Sequence, residues 1–478
     1  MNKKLHIIKH ELFSIIGNCG DELNMRTFVI GGWVRDSILK HKKNEVEFDI
    51  VSDGNGILLA KKVAKKLNVK TISIYKTFGT ASINYNDIKL EFNGARKESY
   101  HPSSRNPKVE KGSIQDDQKR RDFTINAMAI SLNKKNYGEF LDPFNGLEDL
   151  KKKLIRTPLE PTRTYSDDPL RMMRAIRFAT NLEFTIEVSS LNAIKENKNR
   201  LSIIKQERIT EELNKIILSK KPSIGFNLLS QTGLLKIFFP ELDLLHGTET
   251  INGMTHKDNF HHTLKVLDNV SEKSSSLWLR WSALLHDIAK PNTKRFNKKT
   301  GWTFHGHENL GSKMVYGIFK RLKLPLNEHM KYVQKLVLLH LRPIALSKDN
   351  VTDSGIRRLL FDAKNDIDDL MLLCNSDITS KNDYKVEKYK KNLKIVAQKL
   401  VDLEKRDNIR NWQPPINGSI IMKKLKLKGG KSNPEDGKKI AIIKEKIKDS
   451  ILDGDIKNNF NEAEKLMYQI AQELGINY

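Results

Sequence analysis

Val29-Ile30-Gly31-Gly32-Trp33-Val34-Arg35-Asp36, followed twelve residues after its arginine by Glu47-Phe48-Asp49, is the stretch from which the rest of this chain can be read. The apolar run from Phe28 to Ile30 predicts a strand that enters a Gly-Gly turn and then a helix opening at Val34. Gly31 and Gly32 carry no side chain, so backbone N–H groups there can come close to a polyphosphate. A second strand follows. Its side chains alternate, which sets Glu47, Asp49 and Val51 on one face, expected to meet solvent, and Phe48 and Ile50 on the other, expected to be buried. Two carboxylates on one face can hold two hard cations, and two such cations can align an attacking hydroxyl, an α-phosphate and a leaving pyrophosphate. A Gly-Gly turn and a Glu-x-Asp on a strand edge are each common, and the residues downstream decide what they mean here.

Lys89-Leu90-Glu91-Phe92 alternates polar and apolar residues again, making Glu91 a candidate third carboxylate. Arg120-Arg121-Asp122-Phe123-Thr124-Ile125-Asn126-Ala127-Met128-Ala129 offers guanidiniums that grip phosphate oxygens and a carboxylate that accepts from ribose hydroxyls. In Asp167-Asp168-Pro169-Leu170-Arg171-Met172-Met173-Arg174-Ala175-Ile176-Arg177-Phe178, helical spacing puts Arg171, Arg174 and Arg177 along one face with Asp168 a turn before Arg171. Cytosine and adenine each present an amino donor beside a ring-nitrogen acceptor. A carboxylate with a guanidinium therefore pairs with either base, and uracil and guanine leave buried groups unpaired. A plain surface ion pair between Asp168 and Arg171 is the competing explanation.

The ordered set G-G-W-V-R-D, E-F-D, R-R-D-F-T-I-N-A-M-A, L-D-P-F-N-G-L-E-D-L, D-D-P-L-R-M-M-R-A-I-R-F and Q-E-R-I-T-E-E-L resembles the bacterial tRNA nucleotidyltransferases that build or repair the 3′-terminal CCA, and the related poly(A) polymerases. The likeness runs over essentially the whole chain. It implies an α+β fold: a nucleotidyltransferase head with a mixed β-sheet, similar to polymerase β, over residues 1–157. All-α segments are expected after it: a nucleotide-selecting, RNA-binding neck over 158–240, an HD domain over 241–400 and a tRNA-binding tail over 401–478. The resemblance also implies that Mg²⁺ is held by Glu47 and Asp49, assisted by Glu91. Position 47 departs from the family's aspartate, and the extra methylene moves the carboxylate by more than about an ångström, a shift that two-metal geometry tolerates poorly. By the same resemblance Gly31, Gly32 and Arg35 meet phosphates, and Arg121 and Asp122 meet ribose and phosphates. Asp168 and Arg171 select the base, with Arg174 and Arg177 beside them. The partners implied are tRNA, CTP and ATP, with no membrane and no evident protein partner.

Lys97 to Lys119 has two prolines and no apolar periodicity, which predicts a long mobile loop. In the family the equivalent region helps the site change from adding C to adding A. Further on, His286-Asp287 ends the apolar stretch Trp281 to Leu285, with His262, His305, His307, His340 and Asp377 around it in sequence. This resembles an HD phosphohydrolase domain. The resemblance makes His262, His286, Asp287 and Asp377 the core set for a divalent transition metal, with His307 and His340 available for a second ion. Whether such a site hydrolyses phosphoesters here is open on sequence grounds.

Composition agrees without deciding. Across 478 residues a formal charge of +26 and a pI near 9.7 suit a polyanionic partner, although AT-rich coding also enriches lysine. Cys19 and Cys374 have no C-x-x-C spacing, which points to a reducing compartment without structural zinc. No apolar run reaches membrane-spanning length, so a soluble cytoplasmic protein is expected. Ile209, Leu213, Ile216 and Ile217 form a helical stripe, as do Ile440, Ile443, Ile447 and Ile451; both are expected to face a core. Trp412 to Gly418 and Gly429-Gly430-Lys431 are either linkers or contacts for the tRNA backbone. Poly(A) addition and partial CC- or A-only addition stay open, as does an HD metal phosphohydrolase carrying a degenerate head.

Overall fold

The computed structural model describes residues 7–41, 46–76, 79–101, 104–346, 352–379, 382–407, 410, 412–429 and 432–477. For residues 98–101 and 104–108, and for Lys385, it describes the backbone alone. The chain divides into two compact units, Met1–Asp243 with Leu322–Leu324, and Leu244–Arg321 with Pro325–Tyr478.

The first unit opens with α1 (Glu11–Glu22), β1 (Thr27–Ile30), α2 (Gly32–Ile38), β2 (Val46–Ser52), α3 (Gly56–Lys66), β3 (Ser73–Tyr75), β4 (Thr80–Tyr85) and β5 (Ile88–Gly94). It continues through β6 (Arg96–His101), β7 (Ser104–Lys111), α4 (Ile114–Lys119), β8 (Ala129–Ser131) and β9 (Phe140–Leu141). Seven of these strands form one mixed sheet in the order β3-β4-β5-β2-β1-β8-β9. Its one parallel pair is β2 with β5. One face is buried as the alternation requires: Phe48 packs on Phe13 and Trp33 with ring centroids 4.6 and 5.4 Å away, and Leu90 and Phe92 are buried beside it. The same unit then becomes helical, with α5 (Gly146–Lys151), α6 (Pro161–Asp167), α7 (Leu170–Leu182), α8 (Val188–Asn197), α9 (Gln206–Ile217) and α10 (Pro222–Thr232) as its main elements.

Three expectations change. The helix after the Gly-Gly turn starts at Gly32, two residues before Val34, because Gly31 serves as its cap. Val51 does not share an open face with Glu47 and Asp49. It is buried with Phe28, Ile30, Ala95, Ile114 and Ala129, so α4 closes that end of the face and leaves only the carboxylate end open. Where it is described, the segment Lys97 to Lys119 is not a loop. It forms the antiparallel ribbon β6–β7 and then α4, which a Ser113–Asp116 capping box starts. A ribbon outside the main sheet needs no apolar face, which is why it gave no periodicity. Pro107 falls where the ribbon register slips, between Ser99 and His101 on the facing strand, so its missing N–H breaks no regular pairing.

The second unit is helical: α11 (Asn259–Ser271), α12 (Leu277–Leu285), α13 (His307–Arg321), α14 (Glu328–Leu339), α15 (Asp353–Ala363), α16 (Ile367–Asp377), α17 (Asp383–Asp407), α18 (Gly418–Lys424), α19 (Pro434–Asp453) and α20 (Phe460–Glu473) are its main elements. Both predicted stripes face cores. Ile209, Leu213, Ile216 and Ile217 are buried, and Ile443, Ile447 and Ile451 are buried with Ile440 packed against them. Trp412 and Ile416 pack with that tail core, and Asn417 caps α18. Gly430 and Lys431 lie outside the described residues. Among the described residues no helix is long and apolar enough to cross a membrane.

Candidate active site

Strand register assembles the head's site. Asp49 stands opposite Glu91, and Glu47 opposite Lys89, across the β2–β5 pair, while Ile30 stands opposite Asp49 on β1. Paired positions point to the same face, so these four side chains form a two-by-two array. Lys89 Nζ donates to Glu47 Oε1 and lies 3.6 Å from Glu91 Oε2. Glu47 and Lys89 are each 50% exposed and Glu91 is 33% exposed. Asp49 sits deeper. Burial, helped by the Glu91 and Glu47 carboxylates and opposed by Arg121, pushes its carboxyl up to about 6. Carboxylates that resist one another's ionisation in this way mark a place where a divalent cation fits.

Gly31 supplies the cradle. Its φ is +86°, and a Cβ there would lie 2.9 Å from both Asp49 Oδ2 and Arg121 Nη1. Conformation and space therefore both demand glycine. Arg121 is itself fixed, its Nε 3.3 Å from Asp117 Oδ2 and its Nη1 donating to the Asn126 carbonyl. A cleft of about 1230 Å³ beside the array is lined by Gly32, Trp33, Asp36, Glu47, Asp49 and Lys89 among others.

The arginine face on α7 forms as predicted, with Arg171, Arg174 and Arg177 half-buried between buried neighbours. Their partners differ from expectation. Asp122 Oδ2 accepts from Arg174 Nε and Nη2 at 2.8 and 2.6 Å, and its Oδ1 accepts from Asn126 Nδ2 at 3.0 Å. Burial alone would raise the Asp122 carboxyl, but Arg174 and Asn126 outweigh it and hold the group well below the usual carboxylate range. Arg177 pairs with the buried Glu212 of α9 and lies over the Phe178 ring, 3.9 Å from its centroid. Arg35 is buried and bonded to Asp36 and Asn126. These three bridges brace the wall. Asp168 accepts from the Leu170 N–H, and Arg171 Nη2 donates to the Arg120 carbonyl.

The second unit holds a different cluster. His262 (α11), His286-Asp287 (after α12), His307 (the start of α13), His340 (after α14) and Asp377 (the end of α16) converge. Four Nε2 atoms lie around Asp287, at 3.4 Å from His262, 3.2 Å from His286, 3.2 Å from His307 and 3.9 Å from His340. His262 also lies 2.9 Å from Asp377. The Nδ1 atoms of His286, His307 and His340 face the carbonyls of Ala283, Phe304 and Val337 at 2.7–2.8 Å. Those carbonyls can only accept, so each ring keeps a proton at Nδ1 and turns its Nε2 inward, the atom that a metal would take once any proton on it is lost. His286 Nε2 is buried without a hydrogen-bond partner. Burial and the neighbouring His286 bring His340 down to about 4, leaving it neutral. A divalent metal fits this donor set. His305 is exposed and stands apart.

Three regions match family models: a poly A polymerase head domain at residues 27–156, a probable RNA and SrmB-binding site of polymerase A at 183–245, and an HD domain at 259–382. The chain is 31% identical over 312 residues to the multifunctional CCA protein of Psychromonas ingrahamii, covering 63% of this chain and 71% of that one. The chain belongs to the tRNA nucleotidyltransferase and poly(A) polymerase family. It is also 31% identical over 353 residues to the A-adding tRNA nucleotidyltransferase of Aquifex aeolicus, covering 69% of this chain. It spans 42% of that relative's length and 60% of its counterpart from Deinococcus radiodurans, less than two thirds of either. A solved CCA-adding enzyme in an apo form shares the fold, with a TM-score of 0.63 at 23% identity over 96% of this chain and 95% of that one.

Within this family chain, the head region at residues 27–156 unites Gly31, Gly32, Glu47, Asp49, Glu91 and Arg121, while Arg35, Asp122, Arg174 and Arg177 are set into bracing pairs. Sequence reasoning missed Lys89, Asn126 and Glu212. Lys89 had a signal, since it lies two residues before Glu91 and so on the same face of β5.

Proposed function

We propose that the head is a template-independent nucleotidyltransferase that adds or repairs the 3′-terminal CCA of tRNA from CTP and ATP in the cytoplasm. The observation that carries this reading is the in-register pair Asp49 and Glu91 beside the Gly31 cradle and Arg121. Asp49, Glu91 and Glu47 are the residues that would hold Mg²⁺, which when bound acidifies the attacking hydroxyl and stabilises charge on the α-phosphate. Gly31 and Gly32 let the triphosphate lie against the backbone, and Arg121 faces its charge. The RNA 3′ oxygen bonds to the α-phosphorus as the bond to the β-phosphate oxygen breaks and pyrophosphate leaves; Glu91, at the open edge, accepts the hydroxyl proton. Asp168 and Arg171 meet the Watson–Crick edge of cytosine or adenine, while Arg174 and Arg177 keep their wall rigid through Asp122 and Glu212.

Addition of A alone is a second reading, supported by relatives that carry the name A-adding. A separate metal phosphohydrolase activity in the helical unit is supported by the inward-facing His262, His286, His307 and His340 around Asp287. The test is incorporation into a tRNA transcript lacking CCA, with Mg²⁺ and CTP, ATP or both, and sequencing of product ends. Products ending in CCA are expected. A lone added A supports the second reading, a long A tail makes the enzyme a poly(A) polymerase, and no product overturns the proposal for the head.

A further inference from the structure

We propose that Lys89 is an internal counter-ion of the head's carboxylate site, competing with the divalent cation there, and that of the three carboxylates named above Glu47 is its partner, which narrows the metal's ligands to Asp49 and Glu91. This deepens the reading of the head given above and rests on it.

Register makes the first argument. The array has one mixed row, Glu47 with Lys89, and one acidic row, Asp49 with Glu91. Rows of a parallel pair are fixed by the sheet, so the ammonium cannot leave the neighbourhood of the carboxylates by more than the reach of its own side chain. Contact makes the second. Lys89 Nζ bonds Glu47 Oε1 and sits 3.6 Å from Glu91 Oε2, so one cation already bridges two of the three carboxylates. The longer side chain at position 47 carries its carboxylate toward that ammonium, and Glu47 and Lys89 thereby become one feature of the sequence. Exposure makes the third. Both partners are half open to water, and an ion pair so placed is held weakly. A weakly held ammonium is displaceable, which suits a competitor and not a structural bridge.

Position makes the fourth. Lys89 lines the 1230 Å³ cleft with Gly32, Glu47 and Asp49, and also a groove of about 360 Å³ with Tyr75, Ser82, Glu91 and Arg96. Its charge therefore stands where the two cavities flanking the array meet. A unit positive charge within a few ångströms of a bound divalent ion must lower that ion's affinity, and removing it must raise the affinity.

Mn²⁺ binding to the full-length, metal-stripped protein, followed by electron paramagnetic resonance, tests this without any turnover. Ions held by the His/Asp centre are common to all head variants and cancel in the comparison. Lys89→Met should tighten the head ion about tenfold, while Lys89→Arg should keep the parent affinity. Glu47→Gln should change it by less than about twofold, and Asp49→Asn should abolish head binding. Equal weakening by Glu47→Gln and Asp49→Asn would make Glu47 a ligand and overturn the inference, leaving the proposed site intact. Lys89→Met with unchanged or weaker binding overturns it too. Asp49→Asn without effect would bring down the site itself, and the inference with it. Thermal melts of each variant confirm folding; the substituted Lys89 and Glu47 side chains are half-exposed.

Discussion

The two metal-competent places in this molecule are built on opposite plans. In the head, carboxylates lie in strand register, stay partly open to water and have a lysine among them. In the helical unit, imidazoles and carboxylates arrive from several helix ends; His286, Asp287, His307 and His340 are buried, and backbone carbonyls fix the Nδ1 proton of the three histidines among them. A converged, desolvated donor set binds its ion unaided, because the ligands have nothing left to reorganise. An open array holds its ion more loosely. Among the described residues the head's carboxylates form no cluster with ligand atoms within 4.8 Å, whereas His262, His286 and Asp287 do, as do Asp287, His307 and His340. On the function proposed above, a triphosphate's own oxygens would join this open array and tighten its ion.

The largest effect that would break this contrast concerns retained metal. After dialysis against a mild chelator, the protein should keep transition metal in the helical unit, and Asp287→Ala should lower that affinity by about 100-fold or more, read as metal content by mass spectrometry. Metal retained equally by Asp287→Ala and parent protein would show that the convergence is coincidental. Next comes Gly31→Ala. With φ at +86° and a Cβ 2.9 Å from Asp49 Oδ2, alanine must displace the carboxylate or the turn, and incorporation should fall by about 100-fold while metal in the helical unit is unchanged. The smallest effect is on stability against pH. Because burial lifts Asp49 to about 6, its contribution to folding is fully present below the ordinary aspartate value and is lost as pH rises through 6. Asp49→Asn should thus stabilise the metal-free protein by about 1–2 kcal/mol at pH 8 and leave it unchanged at pH 4, as followed by thermal melts. An unchanged melt at pH 8 would mean that Asp49 is solvated.

The contrast also governs what was legible in the chain. A strand displays its faces every second residue, so alternation alone placed Glu47 and Asp49 on one face of their strand and Glu91 on the polar face of another, and the β2–β5 register of the seven-stranded sheet joins the two. Even there, Val51 was misjudged, because alternation says nothing of a helix such as α4 lying over part of the face. The arginines of α7 were legible as a stripe, yet their partners were not: Glu212 is 35 residues beyond Arg177, and Asp122 is 52 before Arg174. The histidine centre lies at the far end of legibility. Its members span His262 to Asp377 on five elements, a juxtaposition no periodicity encodes, and only likeness to a known pattern brought them together. The ribbon at Arg96–Lys111 was missed for the reverse reason, since a two-stranded element without a core face leaves no apolar signature.

Asp49 stands at the centre of the head's array. Asp49→Ala should abolish addition of C and A to a tRNA lacking its CCA end while tRNA affinity, measured by filter binding in the same buffer, changes by less than about threefold. Undiminished addition by Asp49→Ala would contradict the account, since the carboxylate at the centre of the array would then have no part in the reaction.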